Sequence, residues 1–197
     1  MMNQIRYLDW DSNLFGYAVA KVVISENQKI DLDKIFSDLQ FHNIKLCYFF
    51  IKSDDNKTVN SLTKKGVKLF DTRLSFSRST APISPINKNI ELYLSKNLTS
   101  DLQNLALQTG EHSRFNVDPN FQDNEYEKLY IKWLENSIKN PNEVKTFIIR
   151  DGQKIIAFLT LRLNKIDLSI ELMSVDKSHR GKHLGTDLVN FAINFAY

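Results

Sequence analysis

Three β-rich runs that follow one another between residues 145 and 175 constrain the fold of this chain more than any other feature. Residues 145–150 and 154–163 are joined by Asp151 and Gly152. This dipeptide favours a tight hairpin, because both of its positions accept a positive φ. Residues 168–175 supply a third run after a short polar break. Such closely connected strands predict an antiparallel sheet.

Helices are predicted before and after these strands along the chain. Thr99 is a suitable N-cap for a helix that Gly110 would end, and Asn124 with Glu127 has the spacing of a capping box for a second helix. A third amphipathic helix runs from Leu184 to the end of the chain, and residues 90–94 are strand-like. The C-terminal half therefore reads as a strand, two helices, three strands and a helix.

The first 80 residues show a separate β-β-α-β-α-β pattern. Three of these four strands are predicted at 17–24, 46–51 and 67–78. The helices are predicted at 31–41, with Asp31 as N-cap, and at 56–65. Pro82 and Pro85 lie in a stretch with little periodicity. We therefore predict an α/β (α+β) protein with an N-terminal α/β domain at 1–80, a linker at 81–89 and a mixed-sheet domain at 90–197.

Composition excludes several classes of protein. The chain has 197 residues and is 42% hydrophobic, which is typical of a globular protein, and its net charge of +3 is too small to indicate nucleic-acid binding. No apolar run is long enough to span a membrane. The single Cys47 cannot form an intramolecular disulfide, which favours the cytoplasm. The histidines and the cysteine lack metal-ligand spacing, so no metal is expected.

The loop at 176–186 is the motif that carries chemistry. A strand ends, a basic loop with two glycines follows, and a helix begins. The N–H groups at a helix start and the helix dipole bind anions, and Lys177, Arg180 and Lys182 add positive charge. The pattern indicates a diphosphate site. The alternative is an ordinary basic connection that faces solvent.

The order of elements and this loop resemble the GNAT superfamily of acetyl-CoA-dependent N-acetyltransferases. The family motif is Arg or Gln, two residues, Gly, one residue, then Gly or Ala; here Arg180 and Gly185 match, and His183 stands where the family usually has Gly. The resemblance implies acetyl-CoA as co-substrate, with Val175 beside its pantetheine arm. The residues implied to surround the pyrophosphate are Arg180, Gly181, Lys182, His183, Gly185 and Thr186.

A narrower resemblance concerns the acceptor. Residues 10–16 read Trp-Asp-Ser-Asn-Leu-Phe-Gly and are similar to the W-x-S-x-F-F-G opening of the dTDP-fucosamine acetyltransferase group, except at Leu14. Residues 113–115 and 129–133 are similar to that group's loop and second helix. These enzymes carry a small N-terminal α/β domain and acetylate the 4-amino group of a dTDP-linked amino sugar. The resemblance therefore implies a small-molecule amine acceptor of this kind.

Other candidate site residues lie near the predicted loop. Glu171, on the strand before it, is a candidate catalytic carboxylate that would take a proton from the acceptor, although an exposed strand residue is the simpler interpretation. Arg114, Phe115 and Phe121 lie in the loop between the first two helices and are candidates for substrate binding. Arg114 would pair with a nucleotide diphosphate, or it is a plain surface arginine.

Two further expectations complete the sequence-based hypothesis. The GNAT pattern continues beyond the helix in which this chain stops, so we expect the domain to lack its last strands and the general-acid tyrosine that the resembled group carries there; Tyr197 cannot replace it. The uncovered edge of the strand ending at Val175 would then offer a route to a homodimer. The alternative functions are a GNAT enzyme for a polyamine, an aminoglycoside or a protein N-terminus, and a non-catalytic acyl-CoA-binding protein.

Overall fold

A computed structural model describes residues 5–25, 30–81, 90–122 and 124–197. Within these residues the chain is a mixed α/β protein with two sheets and seven α-helices. The chain divides into an N-terminal unit, Met1–Arg73, and a C-terminal unit, Leu74–Tyr197. The boundaries at 1–80, 81–89 and 90–197 stay a prediction, and residues 82–89 of the predicted linker lie outside the described residues.

The N-terminal unit contains a three-stranded sheet in the order β1-β2-β3, in which β2 pairs antiparallel with β1 and parallel with β3. Its elements are β1 (Ile5–Tyr7), α1 (Asp9–Phe15), β2 (Val19–Ile24), α2 (Leu32–Phe41), β3 (Leu46–Ile51) and α3 (Asn56–Lys64). Ala20 and Val22 of β2 are fully buried in a cluster with Ile35, Leu39 and Leu62 of the helices. The predicted N-cap of α2 is confirmed, since the Asp31 carboxylate accepts a hydrogen bond from the Lys34 main-chain N–H at 3.0 Å.

Two parts of this unit differ from the sequence prediction. Residues 10–15 of the tryptophan-containing opening form most of helix α1, which was not predicted. The strand predicted at 67–78 is wrong: these residues form neither helix nor strand, and Leu69, Leu74 and Phe76 are 77%, 73% and 92% exposed. Alternating apolar residues stabilise a strand only where a neighbouring strand pairs with it and its apolar face packs against a core.

The C-terminal unit contains a four-stranded antiparallel sheet in the order β4-β5-β6-β7. The predicted hairpin is confirmed, but its turn lies one residue later than predicted: Asp151 still pairs with Lys154, and the turn residues are Gly152, at φ +58°, and Gln153. The elements of the unit are β4 (Ile90–Leu92), α4 (Ser100–Gly110), α5 (Arg114–Val117), α6 (Glu125–Lys139), β5 (Val144–Asp151), β6 (Lys154–Leu163), β7 (Leu168–Val175), a 3-10 turn (Lys177–His179) and α7 (Leu184–Phe195).

The sheet of the C-terminal unit is covered by helices on both faces. Leu188 and Ala192 of α7 pack in a buried cluster with residues of β5 and β6 that include Phe147 and Leu159. Side chains alternate along a strand, so the buried Ile148 and Phe158 point to the other face, which α4 and α6 cover. This arrangement leaves the end of β7 and the start of α7 next to each other.

The start of α6 differs from the predicted capping box. Asn124 has φ +60°, and its side chain makes no capping hydrogen bond. The carboxylate of Glu125 instead accepts from the main-chain N–H of Gln122 at 2.8 Å. The asparagine therefore serves as a left-handed turn residue, a conformation that asparagine tolerates better than most residues.

Among the helices of the described residues, none combines the length and the apolar composition that crossing a lipid bilayer requires.

Candidate functional site

The site is built around residues 176–186, which we call the phosphate loop, at the end of β7. Val175 is the last residue of β7, and a Cβ added to Gly185 would lie 4.0 Å from Val175 Cγ2. The Arg180 Nε donates a hydrogen bond to the Val175 carbonyl oxygen at 3.1 Å. The structure therefore brings Val175, Arg180 and Gly185, three of the predicted cofactor residues, together at the strand end.

Asp176 stabilises the first turn of the phosphate loop through hydrogen bonds to its carboxylate. Its carboxylate accepts hydrogen bonds from the Ser178 main-chain N–H, at 2.9 Å, and from the Ser178 hydroxyl, so that it caps the 3-10 turn. Lys154 Nζ lies 3.4 Å from its other oxygen. The hydrogen bonds from Ser178 hold the pKa of Asp176 below its ordinary value, with smaller contributions from His179 and Lys154.

His179 connects the phosphate loop with the β5–β6 hairpin. Its Nε2 lies 3.3 Å from an Asp151 carboxylate oxygen, and its Nδ1 lies 2.9 Å from the Ser178 hydroxyl. The side chain is only 15% exposed. The sequence around His179 shows no partner pattern and favours a surface residue, and the structure contradicts this interpretation. Asp151 is 28 residues away in the sequence, so the contact arises only when the hairpin and the loop fold together.

The tip of the phosphate loop contains two residues with a left-handed backbone conformation. Gly181 and His183 have φ values of +77° and +61°, and Gly181, Lys182, His183 and Thr186 are exposed. His183 is the N-cap of α7, and the first turn closes when the Asp187 N–H donates to the His183 carbonyl at 3.0 Å. The N–H groups of residues 184–186 precede this bond, so helix geometry leaves them to other acceptors. The left-handed φ also explains why the resembled family has glycine at this position.

Glu171 lies at an irregularity of β7. Thr160 of β6 faces Leu172 and Leu161 faces Ile170, so Glu171 is an extra residue that the register passes over. Its two carboxylate oxygens accept hydrogen bonds from the guanidinium of Arg162, from Nε and, at 3.3 Å, from Nη2. This pair raises the pKa of Arg162. The predicted catalytic carboxylate is therefore oriented by a bidentate ion pair.

Residues 111–118, which we call the acceptor lip, carry two of the predicted substrate residues. Arg114 begins α5, and its guanidinium carbon lies 4.3 Å from the centroid of the Phe115 ring. Phe115 is 6% exposed and packs edge-to-face on Phe121, with centroids 5.3 Å apart, and on Tyr130. Burial gives Phe115 a packing role that the sequence reading did not assign to it. Its contact with a ligand stays a prediction, as does that of Phe121.

Two residues at the end of α4 connect the acceptor lip with the phosphate loop. Gln108 Oε1 accepts a hydrogen bond from the Lys177 main-chain N–H at 2.9 Å, and Glu111 Oε1 accepts one from Lys177 Nζ at 2.6 Å. The contact with Lys177 is the main cause that lowers the pKa of Glu111. A polar cleft of about 320 Å³ lies beside this connection, between α4 and the start of β6.

Sequence reasoning missed Asp151, Gln108 and Glu111 as parts of the site. Asp151 was interpreted only as a turn residue, and Gln108 and Glu111 as the polar end of a helix and the loop after it. Each acts on a residue of the phosphate loop that is between 28 and 69 positions away. Within the residues that the structure describes, no group of three or more His, Cys, Asp or Glu side chains could hold a metal ion.

One family model matches part of the C-terminal unit. Residues 106–197 match the model of a family described as "Acetyltransferase (GNAT) family". No curated protein matches the chain. Among solved structures, the chain is similar to PaiA N-acetyltransferase from Thermoplasma acidophilum in complex with coenzyme A, at 16% identity and a TM-score of 0.41, covering 54% of this chain and 70% of that chain. It is also similar to a protein from Pyrococcus horikoshii, at 21% identity and a TM-score of 0.37, with the same coverage.

The family match begins within α4 and includes α6, the strands β5 to β7, the phosphate loop and α7. It therefore covers every residue that we named in the site. Residues 106–197, somewhat less than half of the chain, are therefore similar to the GNAT family of acetyltransferases.

Proposed function

We propose that the protein is an acetyl-CoA-dependent N-acetyltransferase and that its acceptor is the amine of a dTDP-linked amino sugar. The observation that carries the first part is the tip of the phosphate loop. Two left-handed residues, Gly181 and His183, present an exposed backbone at the start of α7, beside Arg180 and Lys182. N–H groups at a helix start, together with two cationic side chains, fit the pyrophosphate of acetyl-CoA.

In this proposal the chain's own residues bind and orient the reactants. The pyrophosphate lies on residues 180–186, which directs the pantetheine arm along the end of β7 at Val175. Holding the thioester next to the acceptor makes the attack of the neutral amine effectively unimolecular. The amide C–N bond forms, the thioester C–S bond breaks, and coenzyme A leaves as its thiolate. Main-chain groups near Val175 polarise the thioester carbonyl. Glu171 takes the proton that the amine loses, with Arg162 keeping the carboxylate in one orientation.

The acceptor part of the proposal is supported by the sequence motifs and by Arg114. The guanidinium of Arg114 stacks on the Phe115 ring, which restricts its rotamers in the acceptor lip. A fixed guanidinium suits the diphosphate of a nucleotide-linked sugar. Action in the cytoplasm and a homodimer through the edge of β7 belong to the same proposal; β7 is an edge strand of the sheet within the described residues.

Calorimetric titration with coenzyme A tests the cofactor site. The double variant Arg180→Ala/Gly185→Asp removes a positive charge and places a carboxylate against the phosphates, so we expect coenzyme A affinity to fall by at least about tenfold. The control variant Lys165→Ala/Ser79→Asp makes the same charge change at two exposed positions and should bind normally. Unchanged affinity in a folded Arg180→Ala/Gly185→Asp protein would contradict the cofactor site.

A panel of acceptors then tests the substrate class. We expect acetyl transfer to dTDP-linked 4-amino sugars to exceed transfer to spermidine, an aminoglycoside and a peptide with a free N-terminus. Preference for one of these other amines would identify the enzyme as a GNAT acetyltransferase with a different acceptor. Coenzyme A binding without transfer to any amine would favour a non-catalytic acyl-CoA-binding protein.

A further inference from the structure

Lys177 lies in the phosphate loop, but its contacts are with α4 and the acceptor lip. Its main-chain N–H donates to Gln108 Oε1 at 2.9 Å, and its ammonium group donates to Glu111 Oε1 at 2.6 Å. The sequence predicts that its positive charge faces the phosphates of the predicted diphosphate site. The structure directs that charge to Glu111, three residues before Arg114.

The connection continues from Glu111 into the acceptor lip. The Asn116 side-chain amide donates to the Glu111 carbonyl oxygen at 2.8 Å, and the Ser113 N–H donates to the Gly110 carbonyl oxygen at 2.9 Å. Asn116 belongs to α5, the short helix that Arg114 begins. A continuous series of hydrogen bonds therefore joins the phosphate loop to the element that carries the predicted acceptor residue.

The two contacts of Lys177 differ in what they fix. The Lys177 and Glu111 side chains are 57% and 34% exposed, and exposed ion pairs stabilise proteins little. The bond to Gln108 differs, because it fixes the main chain of the loop rather than a flexible side chain. The main chain of the loop at Lys177 is thereby tied to the end of α4 through Gln108 and Glu111.

We infer that Lys177, Gln108 and Glu111 are positioning residues that couple the phosphate loop to the acceptor lip, so that binding of the cofactor orders the lip for the acceptor. The inference rests on the proposed function. Coupling between two sites is reciprocal in binding free energy, so an ordered lip also favours the cofactor.

Hydrogen exchange, followed by mass spectrometry with and without coenzyme A, tests this inference on the full chain. In the wild type we expect coenzyme A to slow exchange of amides 111–118 by about fivefold. In Gln108→Met/Glu111→Gln, coenzyme A should still bind within about threefold of the wild-type affinity, because neither side chain touches the tip of the loop. The protection of 111–118 should then be lost.

Two further variants make the result specific. Lys177→Met removes the ammonium group and leaves the main-chain bond to Gln108, so we expect partial loss of protection; it also replaces the double variant if that protein does not fold. Glu127→Gln makes the same charge change as Glu111→Gln on the exposed face of α6 and should behave as wild type.

The outcomes separate the inference from the proposed function. Coenzyme A that binds to the wild type without slowing exchange at 111–118 overturns the coupling and leaves the cofactor site intact. Equal protection in the wild type and in Gln108→Met/Glu111→Gln overturns it as well. Absence of coenzyme A binding to the wild type overturns the proposed function, and the coupling with it.

Discussion

Gly110 at the end of α4 lies directly against the ring of Tyr130 on α6. A Cβ at Gly110 would come closer than 3.0 Å to three atoms of that ring, a distance that real Cβ atoms essentially never show. Tyr130 is itself held by Phe115, Tyr126 and Trp133. The glycine therefore sets how closely the two helices before the sheet approach, and with it the position of the acceptor lip that follows α4.

Gly110→Ala should destabilise the protein by about 2 kcal/mol, because the ring cannot move without displacing its aromatic neighbours. Urea unfolding measures the change. The same substitution in a Tyr130→Leu background should be neutral or favourable, since alanine has the better helix propensity once the ring is absent. Stabilisation by Gly110→Ala in the wild-type background would contradict this packing.

His183→Gly should increase the free energy of unfolding by about 0.5–1 kcal/mol. The residue has φ +61°, a left-handed conformation that costs a side chain more than it costs glycine. Thermal or urea unfolding of the two proteins measures the difference, and His183→Val should be destabilising. The glycine variant should also bind coenzyme A at least as tightly as wild type, because glycine lets the phosphates approach the main chain. A less stable His183→Gly protein would show that the imidazole makes a contact worth more than the strain.

Asp176→Asn should make the free energy of unfolding depend less on pH in the acidic range. The pKa of Asp176 is lowered in the folded state, below the ordinary value of 3.8 that the unfolded chain retains. Its contribution is therefore fully present above about pH 5 and is lost as the pH falls below 4 toward the folded pKa. The difference between wild type and Asp176→Asn should be about 1 kcal/mol at pH 7, typical of a lost cap, and should shrink below pH 4.

Urea unfolding between pH 3 and pH 8 measures this difference, and Asp38→Asn on the exposed face of α2 serves as a control for the substitution itself. A difference between wild type and Asp176→Asn that grows on acidification would contradict the assignment.

Arg114→Ala should raise the KM for a dTDP-linked amino sugar by about tenfold, equivalent to about 1.4 kcal/mol, and leave coenzyme A affinity unchanged. Arg114→Lys should recover only part of the loss, because an ammonium group cannot form the two parallel hydrogen bonds that a guanidinium makes to a phosphate. Steady-state kinetics and calorimetry separate the two effects. A change confined to coenzyme A affinity would move Arg114 to the cofactor site.

Glu171→Gln should lower kcat by about 100-fold if the carboxylate takes the proton of the amine, with little change in coenzyme A affinity. Arg162→Met keeps the carboxylate but breaks the bidentate pair, so we expect it to retain most of kcat and to weaken stability instead. Equal losses of kcat in the two variants would show that Glu171 matters only as the partner of Arg162.

Local patterns in the sequence predicted most elements of both units. The N-cap at Asp31, the turn at Gly152 and the runs that became β3 and β7 depend on residues within a few positions of one another. The strand predicted at 67–78 failed because a strand needs a partner from elsewhere in the chain. The capping box at Asn124 failed because the main chain there turns into a left-handed conformation, which puts the side chain out of reach.

The sequence by itself determined that a glycine-containing basic loop follows a strand and begins a helix, because that motif is contiguous over residues 176–186. Only the tertiary structure decided which side chains hold it. His179 contacts Asp151 of the β5–β6 hairpin, and Lys177 contacts Gln108 and Glu111 at the end of α4. Glu171 lies at a bulge of β7 and is oriented by Arg162. The physical reason is the range of the interactions: propensity and capping act within one turn, whereas these partners come together only when the sheet and its helices are packed.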